Sequence, residues 1–369
     1  MKALIAMSGG VDSSLAAKLM IEKGFECIGC TMRLYHNEDA GIEQSRTCCA
    51  LDDVEDARSV AYKLGMPFYV FNFTQDFRET VIRKFIESYE KGITPNPCID
   101  CNRYMKFDKL LERAKVLGCD YIATGHYARI EEQDGKYVLK KALDETKDQT
   151  YVLYSFTQDQ LAHVQFPLGN LRKTDVRSIA EQSGFVNADK PDSQDICFVP
   201  NGDYAHVIEL HTGTESVQGN FVDTNGKILG RHKGIIHYTL GQRKGLGISG
   251  GEPLYVCKIC PESGDVVLGG NEELFSKDAE VGEFNWISGS SPKEAFRCKA
   301  KIRYRQPEQW ATVTPIGEDT VHITFDEPQR AITPGQAAVL YDGDIVLGGG
   351  TIAINSFHKG LYDENNRTF

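Results

Sequence analysis

Residues Ser8-Gly9-Gly10-Val11-Asp12-Ser13-Ser14 follow an apolar run from Ala3 to Met7 and lead straight into Leu15-Ala16-Ala17-Lys18-Leu19. This order of apolar strand, paired-glycine turn and helix limits the fold more than any other stretch of the chain. Two glycines let backbone amides turn inward around an anion, and the helix N-terminus adds its partial positive charge at the same point. The segment is therefore predicted to bind phosphate. It lacks the Lys-Ser or Lys-Thr pair of the kinase-type loop, which excludes that class. Up to about residue 125 the same alternation continues. Ala3 to Met7, Glu26 to Met32, Pro67 to Phe73 and Asp120 to Gly125 read as strands, with helices near 13–23, 52–64, 75–91 and 104–117. The expectation is an α/β domain with a parallel sheet covered by helices. Ligands on such sheets sit at the carboxyl ends of strands, where Ser8 and Gly125 fall.

Beyond the fourth strand, Asp134-Gly135 between two short apolar runs predicts a hairpin. Helical patterns return near 158–164 and 174–183, and after His211 helical periodicity gives way to short alternating runs separated by turns. The reading is an N-terminal domain over 1–205, a small β-rich domain over 206–275 and a C-terminal β-barrel over 276–369. No stretch of 18 apolar residues occurs, so neither a membrane span nor a signal peptide is predicted, and the expected location is the cytoplasm. Eleven cysteines without a secretion signal favour reduced thiols with metal or redox chemistry over a disulfide framework. The net charge of −11 counts against a nucleic-acid partner, yet Arg231 to Lys244 and Arg297 to Arg305 carry no acid and several cations. Local basic faces therefore survive on an acidic chain.

Thr94-Pro95-Asn96-Pro97-Cys98-Ile99-Asp100-Cys101-Asn102 reads as a proline-stiffened loop carrying a Cys-x-x-Cys pair, because its two prolines oppose a helix. Asp192-Ser193-Gln194-Asp195-Ile196-Cys197-Phe198 offers a further cysteine in a polar setting. Cys257 and Cys260 lie in a predicted strand, where positions three apart face opposite sides, and Cys27 and Cys30 repeat that spacing in the second strand. Cys48-Cys49 are adjacent and read as structural or near the rim of the loop.

The Ser8 to Ser14 segment resembles the S-G-G-x-D-S signature of the ATP pyrophosphatases (PP-loop enzymes). Together with T-P-N-P at Thr94, D-S-Q-D-I-C-F at Asp192 and H-Y-T-L-G-Q-R-K-G-L-G at His237, it resembles the tRNA-specific 2-thiouridylase family. A-T-G-H-Y at Ala123, K-D-Q-T-Y at Lys147, R-Y-R-Q at Arg303 and T-P-G-Q at Thr333 extend that resemblance along nearly the whole chain. The resemblance implies ATP-dependent 2-thiolation of the wobble uridine of tRNA, with Mg²⁺ beside the nucleotide. Cys197 is implied as persulfide carrier and Cys101 as the attacking thiol, so that a disulfide can form between them. ATP contacts fall on Ala6, Met7, Ser8, Gly9, Gly10, Val11, Asp12, Ser13, Met32 and Gly125, with Asp12 near Mg²⁺. Contacts to tRNA fall on Asn96, Pro97, Cys98, His126, Lys147, Asp148, Gln149, Arg303, Tyr304 and Gln336. The implied partners are the anticodon arms of the Lys, Glu and Gln isoacceptors and a cysteine desulfurase or sulfur-relay protein. Many family members carry Asp where this chain has Cys98, and the substitution creates a trio of thiols. Cys98, Cys101 and Cys197 suit three irons of a [4Fe-4S] cluster. Two other readings stay open: a different adenylating ligase such as an amidating synthetase, and an iron-sulfur RNA-binding protein with an inactive ATP loop.

Overall fold

The computed structural model describes residues 1–41, 48–191, 196–248 and 251–354. Asp192 to Asp195 and the side chains of Cys48 and Cys49 lie outside the described residues. The chain opens with β1 (Lys2–Ala6), α1 (Val11–Glu22), β2 (Glu26–Arg33), α2 (Cys48–Lys63) and β3 (Phe68–Asn72), followed by β4 (Tyr121–Ala123). The predicted hairpin follows as β5 (Arg129–Gln133) and β6 (Lys136–Lys140), and then a short β7 (Val164–Gln165). Strands β3-β2-β1-β4-β7 form one sheet, and every pairing in it is parallel. The central strands are buried on both faces, as a parallel sheet requires. Cys27 on β2 joins the core under α1 and α2, whereas Ile28 and Cys30 join the core on the opposite face. The order reverses between β1 and β4, which opens a crevice at their carboxyl ends.

The hairpin turn places Asp134 at φ 50° and Gly135 at φ 75°, the paired left-handed geometry of a type I′ turn. Its destination was not predicted. β6 pairs with the last strand among the described residues, so the hairpin extends the C-terminal sheet and joins the N-terminal half of the chain to it.

A second sheet of order β10-β11-β8-β9 is built from β8 (Gly219–Val222), β9 (Ile228–His232), β10 (Tyr255–Cys260) and β11 (Asp265–Gly269). Register slips around Cys257, and both Cys257 and Cys260 are fully buried, in separate apolar clusters. The remaining strands are β12 (Phe275–Trp286), β13 (Phe296–Lys301), β14 (Gln309–Pro315), β15 (Val321–Arg330), β16 (Ala337–Asp342) and β17 (Ile345–Ile352). They run β12-β15-β14-β13-β16-β17, and a β12–β17 pairing closes them into a barrel. Alternation along β13 sends Cys298 and Ala300 into the barrel core and Arg297, Lys299 and Lys301 outward. Among the described residues no helix is long and apolar enough to cross a membrane.

Candidate active site

The phosphate loop begins where β1 ends. Gly9 takes φ +76°, and a β-carbon there would lie 2.3 Å from the Asp53 carbonyl oxygen of α2, so glycine is required twice over. Gly10 differs: it caps α1 in an extended conformation, and a β-carbon would meet only Ser8 Oγ at 3.5 Å. Ser13 Oγ accepts from the Ser8 amide at 3.1 Å and donates to the Gly10 carbonyl at 3.0 Å. From outside the loop, Asn187 Nδ2 donates to the Gly9 carbonyl at 2.8 Å and to Ser14 Oγ at 2.9 Å. With its carbonyls held in this way, the loop leaves the first amides of α1 without intrahelical partners, as in any helix start. Gly125 also packs against the loop itself. A β-carbon at this position would come within 2.7 Å of the Ser13 amide nitrogen, so the loop itself makes the close approach here.

Asp12 is closely held. Lys173 Nζ lies 2.8 Å from each of its carboxylate oxygens, and Tyr127 OH donates to Oδ1 at 2.8 Å. Lys173 is only 8% exposed. Both Asp12 oxygens thus face an ammonium, which fits poorly with the role of hard-cation ligand expected from the sequence. Lys173 and Asn187 were not singled out in the sequence. They reach the loop from 161 and 178 residues away, and no local pattern signals such contacts.

The cysteines contradict the loop reading of 94–102. Asn96 caps a helix, its Oδ1 accepting from the Cys98 amide at 3.2 Å, and Pro97 occupies the first helical turn. Proline is tolerated there because that amide has no helical partner in any case. The helix runs from Pro97–Asp100 into a π-helical segment, Cys101–Lys109, and on through Leu110–Val116. Cys98 and Cys101 therefore stand one turn apart on a helix, Cys98 exposed and Cys101 buried. Cys197 is exposed and fixed from both sides. Its carbonyl accepts from Tyr35 OH at 2.6 Å, and the next residue, Phe198, packs edge-on against Phe77 and Phe85 at 5.6 and 5.3 Å.

The three thiols lie within electrostatic reach of one another. Although the Cys197 residue is exposed, desolvation by the protein packed around its thiol pushes it up to about 12, and the Cys101 and Cys98 thiols add to the shift. Burial takes Cys101 to about 11, desolvation by the surrounding protein raises Cys98, and the Lys106 ammonium pulls all three back. Lys106 also escaped the sequence reading. It lies five residues beyond Cys101, which an α-helix would place on another face and a π-helix returns toward the same one. Asp100 turns to Lys84 at 2.8 Å, a structural ion pair. Among the described residues no three His, Cys, Asp or Glu side chains form a group that can hold a metal ion, and that includes Cys98, Cys101 and Cys197. The cluster suggested by the residue types is therefore not assembled here.

Thiolate is the reactive form of cysteine, so these raised values set a test. Iodoacetamide is expected to label Cys101 and Cys197 of the free protein slowly near pH 7, with a rate that climbs about tenfold per pH unit to at least pH 9. Peptide mass spectrometry over that range would show a plateau well below about pH 9 if burial does not govern these thiols.

Of the residues expected at tRNA, Asn96, Gln336 and Tyr304 adjoin the segment that carries Cys98, and several side chains have internal duties. Gln336 Nε2 donates to the Thr94 carbonyl at 2.9 Å, bracing the segment that carries Cys98. Arg303 donates to the Ala331 carbonyl at 3.0 Å and to Thr333 Oγ1 at 2.7 Å. Asp148 accepts from the Ala142 amide and Thr150 Oγ1, and Gln149 accepts from the Tyr127 amide. His126 is buried beside Phe107 and Phe166 and bonded to Thr124, and burial followed by Lys106 lowers its pKa so that the ring is neutral. Pro97 is buried and Lys147 half-buried. Tyr304 and Cys98 are exposed, and they are near enough that a Cys98 thiolate would raise the Tyr304 pKa. Met32 is the penultimate residue of β2, beside Phe71, near the carboxyl edge expected for adenine.

Residues 1–201 match a family profile described as a tRNA methyl transferase HUP domain. Residues 206–270 match a tRNA methyl transferase PRC-barrel domain, and residues 276–352 an aminomethyltransferase beta-barrel domain. A protein of Clostridioides difficile named tRNA-specific 2-thiouridylase MnmA is 52% identical over 353 residues, covering 95% of this chain and 98% of that protein. Proteins of the same name from Symbiobacterium thermophilum and Acetivibrio thermocellus are also 52% identical, covering 96% and 95% of this chain and 93% and 99% of their own lengths. With half of all positions shared along nearly the full length of each of these proteins, the chain belongs to the tRNA-specific 2-thiouridylase family.

Proposed function

We propose that the protein is an ATP-dependent tRNA-uridine 2-sulfurtransferase acting on the wobble uridine. The uracil O2 is a poor leaving group and must first be activated. In the proposed reaction O2 attacks the α-phosphorus of ATP held at Ser8 to Ser13, and pyrophosphate leaves. The terminal sulfur of a Cys197 persulfide then adds to C2, and AMP departs with the former O2. Cys101 attacks Cys197 Sγ and breaks the remaining S–S bond, which frees 2-thiouridine and leaves a Cys101–Cys197 disulfide for an external dithiol to reduce. Both residues are needed because the sulfur stays covalently attached until a second thiol opens the bond.

One observation carries this reading. Tyr35 lies two residues past the end of β2 and holds Cys197 by its carbonyl at 2.6 Å, so the sulfur carrier is tethered at the carboxyl edge where the phosphate loop also sits. An amidating ligase needs no cysteine there. Because Asp12 is held by Lys173, Mg²⁺ in this scheme is bound chiefly by the phosphates of ATP. We place tRNA on Asn96, Pro97, Cys98, His126, Lys147, Asp148, Gln149, Arg303, Tyr304 and Gln336, through the anticodon arm of the Lys, Glu and Gln isoacceptors. The sulfur comes from a cysteine desulfurase or a relay protein, and the setting is the cytoplasm, where thiols stay reduced. The working division of labour is catalysis over 1–205 and tRNA binding over 276–369, with 206–275 between them.

Pyrophosphate release from ATP is the direct test, and it is expected to rise at least tenfold when unmodified tRNA is added, on the order expected when a substrate completes a site. Release that ignores tRNA would favour another ligase. Lys173→Met removes the cation at Asp12 and turns an unbalanced carboxylate toward the triphosphate. Charged hydrogen bonds of this kind contribute about 1.5 to 3 kcal/mol, so titration calorimetry with a non-hydrolysable ATP analogue is expected to show roughly ten- to hundredfold weaker binding.

A further inference from the structure

The outer face of β13 presents Arg297, Lys299 and Lys301 in succession, over about 13 Å at the usual rise of a strand. Lys299 pairs across to Trp310 on β14, and its Nζ lies 5.6 Å from the centre of the indole. Trp310 is 52% exposed, whereas the only other tryptophan of the chain, Trp286, is buried. At the other end of the strand Lys301 Nζ stands 5.8 Å from the ring of Tyr304, which is 39% exposed and neighbours Cys98. Arg297 is matched bidentately by Asp326, at 2.5 and 2.7 Å, and counts as neutral. Asp148 and Glu308 lie in the neighbourhood of Lys301 without an ion pair to it. Lys299 and Lys301 make no ion pair among the described residues. Arg297 also lies 5.7 Å from the centre of the Trp310 indole, so on a chain of net charge −11 a row of cations and partly exposed aromatic rings runs from near Cys98 onto the barrel.

We propose that Trp310 is a stacking platform for an unpaired base of the tRNA next to the target uridine, with Lys299 and Lys301 receiving the intervening phosphates. Bases lifted out of a stack are held on aromatic faces, and phosphates by cations that no carboxylate has already matched. The track ends beside Cys98, so the strand it holds is the one that delivers the uridine. A protein partner would find little apolar surface here beyond one indole and one phenol ring. The proposal rests on the thiolation reading above.

The test uses the full chain with Trp286→Phe as background, so that Trp310 is the only fluorophore of its type. Unmodified substrate tRNA is expected to quench its emission on binding. Trp310→Ala is expected to weaken tRNA binding about tenfold, Trp310→Phe to restore most of it, and Lys299→Ala to lower the slope of log affinity against log salt by about one. Unchanged affinity in Trp310→Ala together with absent quenching, in protein that still forms 2-thiouridine, overturns the platform and leaves the thiolation reading intact. Unchanged tRNA affinity with slower sulfur uptake from a persulfide-charged donor protein also overturns it and assigns the face to that donor. If the wild-type chain forms no 2-thiouridine, it is the underlying reading that has failed.

Discussion

Alanine at Gly9 is expected to abolish ATP-dependent activity and to lower the stability of the N-terminal domain by roughly 3 kcal/mol. The left-handed backbone costs a non-glycine residue about 1 to 2 kcal/mol, and displacing α2 from the new methyl adds about 1 to 3 kcal/mol. The overlap is with backbone: a β-carbon at Gly9 would stand 2.3 Å from the Asp53 carbonyl oxygen, and no rotamer change relieves it. Gly10→Ala is the informative contrast. Its β-carbon meets nothing nearer than Ser8 Oγ at 3.5 Å, so thermal unfolding should match the wild type. ATP binding should nonetheless fall at least about tenfold, because the methyl occupies the mouth where backbone and phosphate must approach closely. Equal ATP affinity in Gly10→Ala and wild type would show that the phosphate lies elsewhere.

Cys197→Ser is expected to reduce thiolation by at least about a thousandfold, the scale on which removal of a catalytic nucleophile acts. The substitution changes one atom of an exposed residue, and its effect on stability should stay within about 0.5 kcal/mol. Pyrophosphate release stimulated by tRNA should survive, because activation of O2 precedes any need for sulfur. That separation of the two half-reactions distinguishes a sulfur carrier from a structural cysteine. A serine variant that thiolates at the wild-type rate would remove Cys197 from the mechanism.

Much of the N-terminal domain was legible because buried parallel strands are continuous apolar runs and their covering helices are periodic. The phosphate loop was legible for the same local reason, its glycines falling between strand and helix. The helix carrying Cys98 was misread because two prolines were weighed without their positions. Pro97 at the first turn and Asn96 as cap start the helix that proline in its interior would break. Lys106 was hidden by π-helical register, which no 3.6-residue template detects. Tyr35, Lys173 and Asn187 act across 162, 161 and 178 residues, and the hairpin at Asp134-Gly135 finds its partner strand on β17. Such pairings are properties of the closed fold and have no counterpart in a local window. The same holds for the thiols: sequence supplied three cysteines, and folding brings them within electrostatic reach of one another while no metal-holding group forms among the described residues.

The central claim is that ATP and a Cys197 persulfide together replace O2 of the wobble uridine by sulfur. Its most direct test is nucleoside mass spectrometry of unmodified tRNA incubated with metal-chelated protein, ATP, Mg²⁺ and a persulfide-charged donor. The account predicts 2-thiouridine and AMP in equal amounts, dependent on Cys101 and Cys197 and independent of iron. Absence of 2-thiouridine, or its appearance only after iron and sulfide are restored to the protein, would contradict it.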